Sequence, residues 1–148
     1  MSKIVIFDLD GTLALIDDRR KISAKPNGKM DWDKFFDPKN ISLDKPNMPA
    51  IKMAQSLASD GFQIVIFSGR SKSTIWATKF WLSKNKVPFH KLLMRPIKDF
   101  TPDDVLKQNW LNDIGKDNVL CTFDDRNKVV DMWRNNGVTC FQVADGNF

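Results

Sequence analysis

Ile4-Val5-Ile6-Phe7-Asp8-Leu9-Asp10-Gly11-Thr12 decides how the rest of this chain is read. An unbroken run of β-branched and aromatic residues predicts a strand buried on both faces. The run stops at two carboxylates one residue apart, which a buried setting accepts only with a partner or a coordinated ion. Gly11 lets the chain turn out of the strand. In parallel sheets ligands bind beyond the carboxyl ends of the strands. Asp8 and Asp10 are therefore expected to face one site above a sheet.

Working outward, the pattern predicts further buried strands at 62–67, 119–123 and 138–143, with an extended segment at 89–94. Helices are predicted over 49–59, 71–86 and 127–136, and from Pro102 onward with Thr101 as its cap. Strands alternating with helices predict an α/β fold, a Rossmann-like parallel sheet with right-handed crossovers. After a charged stretch at 17–21, residues 22–46 read as irregular, punctuated by Pro26, Gly28, Pro38 and Pro46, with one short helix around 31–36. There Trp32, Phe35 and Phe36 share an apolar face, suited to packing or to presenting aromatic rings to a base.

The 148 residues suit a single domain with a real core. No apolar run is long enough to span a bilayer, and no signal peptide is recognisable. Cys121 and Cys140 lie in strand-like stretches outside any Cys-x-x-Cys pair. They are expected to be free thiols in a reducing, cytoplasmic setting. The net charge of +5 favours an anionic partner without identifying it.

The strands end on polar residues: Asp8 and Asp10, then Ser68 and Arg70, then Asp124 and Asp125. A parallel sheet brings all these ends to one edge, and Lys107 is placed to reach it from a helix. Clustered carboxylates call for a hard cation, and phosphoryl oxygens need donors and positive charge. The set points to magnesium-assisted phosphoryl transfer. Each member has a duller reading: Ser68-Gly69 as a turn, Lys107 as a solvated lysine, Asp124-Asp125 as a helix cap. Their joint occurrence on successive elements favours the site. His90, in a connector, is expected to have no catalytic role.

Asp-x-Asp-Gly-Thr after a buried strand resembles the signature of the haloacid dehalogenase superfamily. The resemblance implies that fold, with residues 16–46 as a small cap. It implies Asp8 as nucleophile, Asp10 as general acid and base, and Ser68 and Lys107 holding the phosphoryl group. A Mg²⁺ site would draw on Asp8, Asp10 (through its carbonyl), Asp124 and Asp125, with the direct ligand of the last pair left open. The chain is similar, more closely, to the branch of 3'-phosphatase domains of phage polynucleotide kinases. The similar stretches include 8–13, 68–70, 103–107, 123–134 and 140–148. By position, Leu9, Gly69, Arg19, Arg70 and Asp103 then join the substrate side, the two arginines as donors to phosphate and Asp103 orienting Lys107 or Arg70.

The branch implies removal of a 3'-phosphate from a nucleic-acid end. A nucleotidase acting on a small nucleotide is the nearer rival. A receiver-type signalling domain is a remoter one, because a lasting phosphoaspartate has no use for the neighbouring Asp10. No Gly-x-x-x-x-Gly-Lys-Ser/Thr loop is present, so 5'-phosphorylation is not expected of these residues. The expected partner is a phosphorylated nucleic-acid end or nucleotide, with no membrane and no obligate protein partner. A phage-encoded chain would work in the host cytoplasm.

Overall fold

The computed structural model describes residues 2–148. In chain order the elements are β1 (Ile4–Asp8), β2 (Ala14–Leu15), α1 (Asp17–Ser23), α2 (Trp32–Phe35), α3 (Pro38–Ile41), β3 (Lys45–Pro46) and α4 (Met48–Ser59). There follow β4 (Gln63–Ser71), α5 (Ile75–Lys84), β5 (Lys91–Arg95), α6 (Asp103–Ile114), β6 (Val119–Asp124), α7 (Asn127–Asn135) and β7 (Cys140–Gln142). Five strands form a parallel sheet in the order β5-β4-β1-β6-β7, with β1 at its centre. Asp8 is in register with Phe67, and Phe7 with Phe123. Asp8 and Asp124 at the ends of β1 and β6, and Ser68 within β4, therefore stand on three adjacent strands at nearly one level.

Alternation along the central strands feeds two apolar layers. Val5, Phe7, Ile64, Ile66 and Phe123 pack with Ile51 and Ala54 of α4 and with Trp81 and Leu82 of α5. Ile6, Val65 and Phe67 pack on the other face with Leu111 of α6 and Val129, Val130 and Trp133 of α7. Burial on both faces is what the uninterrupted apolar runs require. Cys121 and Cys140 are buried and unbridged. No helix among the described residues is long and apolar enough to cross a membrane.

Between β2 and β3 the chain makes an excursion. Its two ends are held by a short antiparallel ladder, Ala14 with Pro46 and Leu15 with Lys45. It contains three helices where the sequence pattern shows one. The charged stretch 17–21 is the start of α1, with Asp17 and Asp18 in its first turn and Arg20 and Lys21 in its last, matching the helix dipole. Apolar periodicity fails to reveal it because its buried side chains are Arg19 and Ser23.

Thr101 does not cap α6. Pro102 holds the cap position with no side-chain cap bond. Thr101 is drawn instead into a turn: its amide donates to Asp99 Oδ1 at 2.8 Å, and its carbonyl accepts from Arg95. β4 runs past Phe67 through Ser68, Gly69 and Arg70, so these residues extend a strand and do not form a loop. His90 joins β4 to β5, its Nδ1 accepting the Ile64 amide at 2.9 Å, a structural duty.

Phe67 contacts Trp110 and Trp133 with ring centroids 5.2 and 5.7 Å apart, and so ties β4 to both α6 and α7. Phe67→Ala is expected to destabilise the fold by about 3–5 kcal/mol, read as a lowered urea midpoint.

Candidate active site

β1 ends at Asp8, and the loop after it closes on a single acceptor. The Leu9 carbonyl takes the amides of Thr12, Leu13 and Ala14 at 3.0–3.2 Å. Leu9 itself is wholly buried in the first apolar layer, so it brings no side chain to the substrate side. Gly11 sits at φ +84°, and a Cβ there would collide with the Asp125 carboxylate. The glycine thus serves both the turn and the approach of Asp125 to the loop.

The two acids of the opening motif belong to different networks. Asp8 faces Lys107, whose Nζ donates to Asp8 Oδ1 at 2.8 Å and to Asp124 Oδ2 at 3.0 Å. Lys107 reaches inward from α6 and is buried. Asp8 Oδ2 accepts the Thr12 hydroxyl at 3.3 Å. Asp124 Oδ1 accepts the amides of Asp125 and Arg126 at 2.9 and 3.4 Å, while Oδ2 also accepts the Trp133 indole N–H at 3.4 Å. Asp124 and Asp125 therefore do not cap α7, whose cap position is Arg126. Ser68 Oγ, buried at the end of β4, accepts the Arg70 amide at 3.1 Å.

The carboxylate oxygens of Asp8, Asp124 and Asp125 lie within 4.8 Å of one another. Three buried acids around one ammonium leave negative charge in excess. Burial, then the charge of Asp124, holds the Asp8 carboxyl well above the usual carboxylate range despite Lys107. Burial also raises Asp125, with Asp124 adding to it. Burial opposes the Lys107 ammonium, but Asp124 and Asp8 outweigh it and push its pKa up. Clustered hard oxygen donors with unbalanced charge suit a magnesium ion. The Asp10 carboxylate stands outside this cluster, which leaves only its carbonyl for the part that the family pattern gives it.

Asp10 is held by two arginines. Arg70 Nε and Nη2 donate to it at 3.0 and 2.6 Å, and Arg19 Nη2 at 2.8 Å. Both guanidinium groups also bind Asp44: Arg19 Nε and Nη2 at 3.0 and 2.9 Å, and Arg70 Nη2 at 3.0 Å. The remaining donors go to the Phe35 carbonyl and the Thr78 hydroxyl. Arg19 also lies 4.3 Å from the centroid of the Phe35 ring, so Phe35 packs while Trp32 stays exposed. Burial by itself would raise Asp10, yet Arg70 and Arg19 outweigh it and hold the carboxyl at about 2. Burial pushes Asp44 up to about 6 against the pull of the same two arginines. Arg19 and Arg70, expected to donate to phosphate, spend most of their donors on Asp10 and Asp44 in this arrangement.

Asp103 does not orient Lys107 or Arg70. It pairs with Arg95 at 2.9 Å and Arg126 at 3.6 Å. Gly69 permits this, since a Cβ there would strike the Asp103 carboxylate, and its carbonyl accepts Arg95 Nε at 2.9 Å. Asp44, Arg95 and Arg126 are the residues that sequence reasoning passed over. Asp44 meets partners 25 and 26 positions away, with no local signal. Arg95 ends β5 and could have been found by the same strand-end rule that singled out Ser68 and Arg70.

Residues 2–148 match the family described as the polynucleotide kinase PNKP phosphatase domain. The chain belongs to that family. A protein of the Autographa californica nuclear polyhedrosis virus, named as a bifunctional polynucleotide kinase/RNA ligase, is 34% identical over 147 residues, covering 96% of this chain and 19% of its own length. A structure of a Pnkp1/Rnl/Hen1 complex superposes with a TM-score of 0.81 at 30% identity, over 100% of this chain and 48% of that one. This phosphatase domain thus spans half or less of the length of these relatives. A haloacid dehalogenase family enzyme from Bacteroides thetaiotaomicron, solved with magnesium and inorganic phosphate, shares the fold at a TM-score of 0.58 and 15% identity over 99% of this chain and 96% of that one.

Asp44→Ala is expected to leave two buried guanidinium groups short of charge and to cost about 3–5 kcal/mol, with hydrogen exchange of α1 and β3 rising most. Because the Asp10 pKa is depressed on folding, its contribution to stability is complete above about pH 4 and is lost as pH falls through about 2. Carboxyl NMR should place the Asp10 midpoint near 2 in the wild type and higher in Arg70→Ala.

Proposed function

We propose that the chain is a magnesium-dependent phosphomonoesterase that removes the 3'-phosphate from nucleic-acid ends. The observation that carries this reading is the division of labour at the end of β1: Asp8 against Lys107 in a carboxylate cluster, and Asp10 two residues on in the grip of two arginines. Membership of the phosphatase-domain family supports the substrate class.

In this reading Asp8 Oδ2, the less engaged oxygen, attacks phosphorus. The bond from phosphorus to the ester oxygen breaks, leaving an aspartyl phosphate on Asp8. Lys107 and Ser68 hold the phosphoryl oxygens. Asp10 protonates the departing ester oxygen, then takes a proton from water, and the resulting hydroxide releases phosphate and restores Asp8. Asp8, Asp124 and Asp125 would hold Mg²⁺, which supplies positive charge for the phosphoryl oxygens and relieves the repulsion among the acids.

The arginine pair makes Asp10 a resting carboxylate. Its role as an acid requires that this pull be relieved. A phosphate dianion does so by competing for the donors of Arg19 and Arg70, which reconciles their expected role with their resting partners. Arrival of substrate then raises the Asp10 pKa, so that the carboxylate takes up a proton from solvent before the ester oxygen departs.

Asp8→Asn and Asp10→Asn should each reduce turnover by on the order of 10⁴-fold or more with unchanged circular dichroism, and Lys107→Ala should be comparably severe. Chelation should abolish activity and Mg²⁺ restore it. A panel of 3'-phosphorylated oligonucleotides against 3'- and 5'-mononucleotides tests the substrate class: a higher kcat/KM on the mononucleotides would replace the polynucleotide reading with a nucleotidase.

A further inference from the structure

The net positive charge of the chain is unevenly distributed. Between Asp60 and Asp99 there are eight lysines and arginines and no acidic residue, whereas the rest of the chain has 15 basic and 18 acidic residues. The basic block forms β4, α5 and β5, at one side of the sheet. Within it α5 presents an unusual outer face. Trp76 and Phe80, one turn apart, are 78% and 71% exposed. Lys72 precedes them and Lys84 follows them at the same four-residue spacing, and Lys79 Nζ lies 5.5 Å from the Trp76 ring centroid.

The inner face of the same helix is fixed to the Asp10 network. Arg70 bonds the Thr78 hydroxyl at 3.1 Å, and the Trp81 indole N–H donates to the Asp44 carbonyl at 3.0 Å. The exposed stripe is thus rigidly placed beside the site and leads away from it for about 18 Å, at 1.5 Å per residue.

Single exposed aromatics need no explanation, but two a turn apart, interleaved with lysines in a stretch that has no acidic residue, do. The core of a protein–protein interface is depleted in lysine. Aromatic faces interleaved with lysines are the pattern that takes an unpaired nucleic-acid strand, bases on the rings and phosphates on the cations. We propose that the outer face of α5 is the track along which the strand approaches the site, with Trp76 and Phe80 stacking bases and Lys72, Lys79 and Lys84 meeting phosphates. This rests on the polynucleotide reading and extends it: the enzyme would recognise several single-stranded nucleotides upstream of the phosphate that it removes.

The test compares a single-stranded, 3'-phosphorylated decanucleotide with a deoxynucleoside 3'-monophosphate, both with Mg²⁺. The wild type should show the lower KM on the decanucleotide. Trp76→Ala/Phe80→Ala should raise that KM about tenfold or more, with kcat and all mononucleotide kinetics unchanged. Lys72→Gln/Lys79→Gln/Lys84→Gln should reduce the slope of log KM against log salt by about 2. A wild type that treats both substrates alike overturns the polynucleotide reading and the track with it. A wild-type preference for the decanucleotide that both variants keep, with the same salt slope, overturns the track alone and leaves this face to a protein partner. Equal losses on both substrates also overturn it, by assigning the face to the fold.

Discussion

The buried square of Asp10, Arg19, Asp44 and Arg70 is the constraint on which the architecture of the site depends. Two guanidinium groups and the Asp44 carboxylate are taken out of water together, while Asp10 stays partly exposed at the site. The desolvation involved is repaid only when nearly every donor finds an acceptor, and here the spare N–H groups reach Phe35 and Thr78. The four residues come from the loop after β1, from α1, from the turn before β3 and from β4. These polar contacts, together with Ile16 and Phe35 in the first apolar layer, hold the excursion to the sheet. This also explains why α1 buries an arginine and a serine.

Next to this square lies a second group of opposite character. Asp8 and Asp124 share one ammonium and Asp125 lies against them without one of its own, so that half of the site is short of positive charge, while the square is balanced. Two carboxylates a residue apart would repel each other in a common environment. The fold separates them by aiming Asp8 at α6 and Asp10 at the arginines. One is left in need of cations, the other supplied with them. On the mechanism proposed above, a phosphate entering between them would alter both balances at once.

The sheet was legible because its strands are apolar runs buried on both faces, and the site because strands in parallel alignment finish at one edge. Asp8, Asp10, Ser68, Asp124 and Asp125 are picked out by that rule, whereas Lys107 comes from α6 and is not. What stayed hidden was set by distance along the chain. Asp44 is an unremarkable residue before Lys45-Pro46 until the fold brings Arg19 and Arg70 against it. Asp103 is matched in the fold by Arg95 and Arg126, which no local pattern pairs with it, because they leave β5 and β6, strands with β4 and β1 between them. The helix α1 escaped notice because the usual cue, an apolar stripe, is replaced by an ion pair.

The ladder between β2 and β3 has an architectural corollary. Ala14 and Pro46 are direct neighbours, and the Asn47 side chain binds the Thr12 carbonyl at 2.8 Å. The chain therefore departs from the sheet and returns to it through the same doorway. Closing a loop costs only about 0.6 kcal/mol more for each doubling of its length, so the sheet is nearly indifferent to how much polypeptide passes outside. The catalytic edge can stay fixed while the lobe above it is lengthened, shortened or exchanged, provided the replacement keeps one arginine and one aspartate in reach of Asp10.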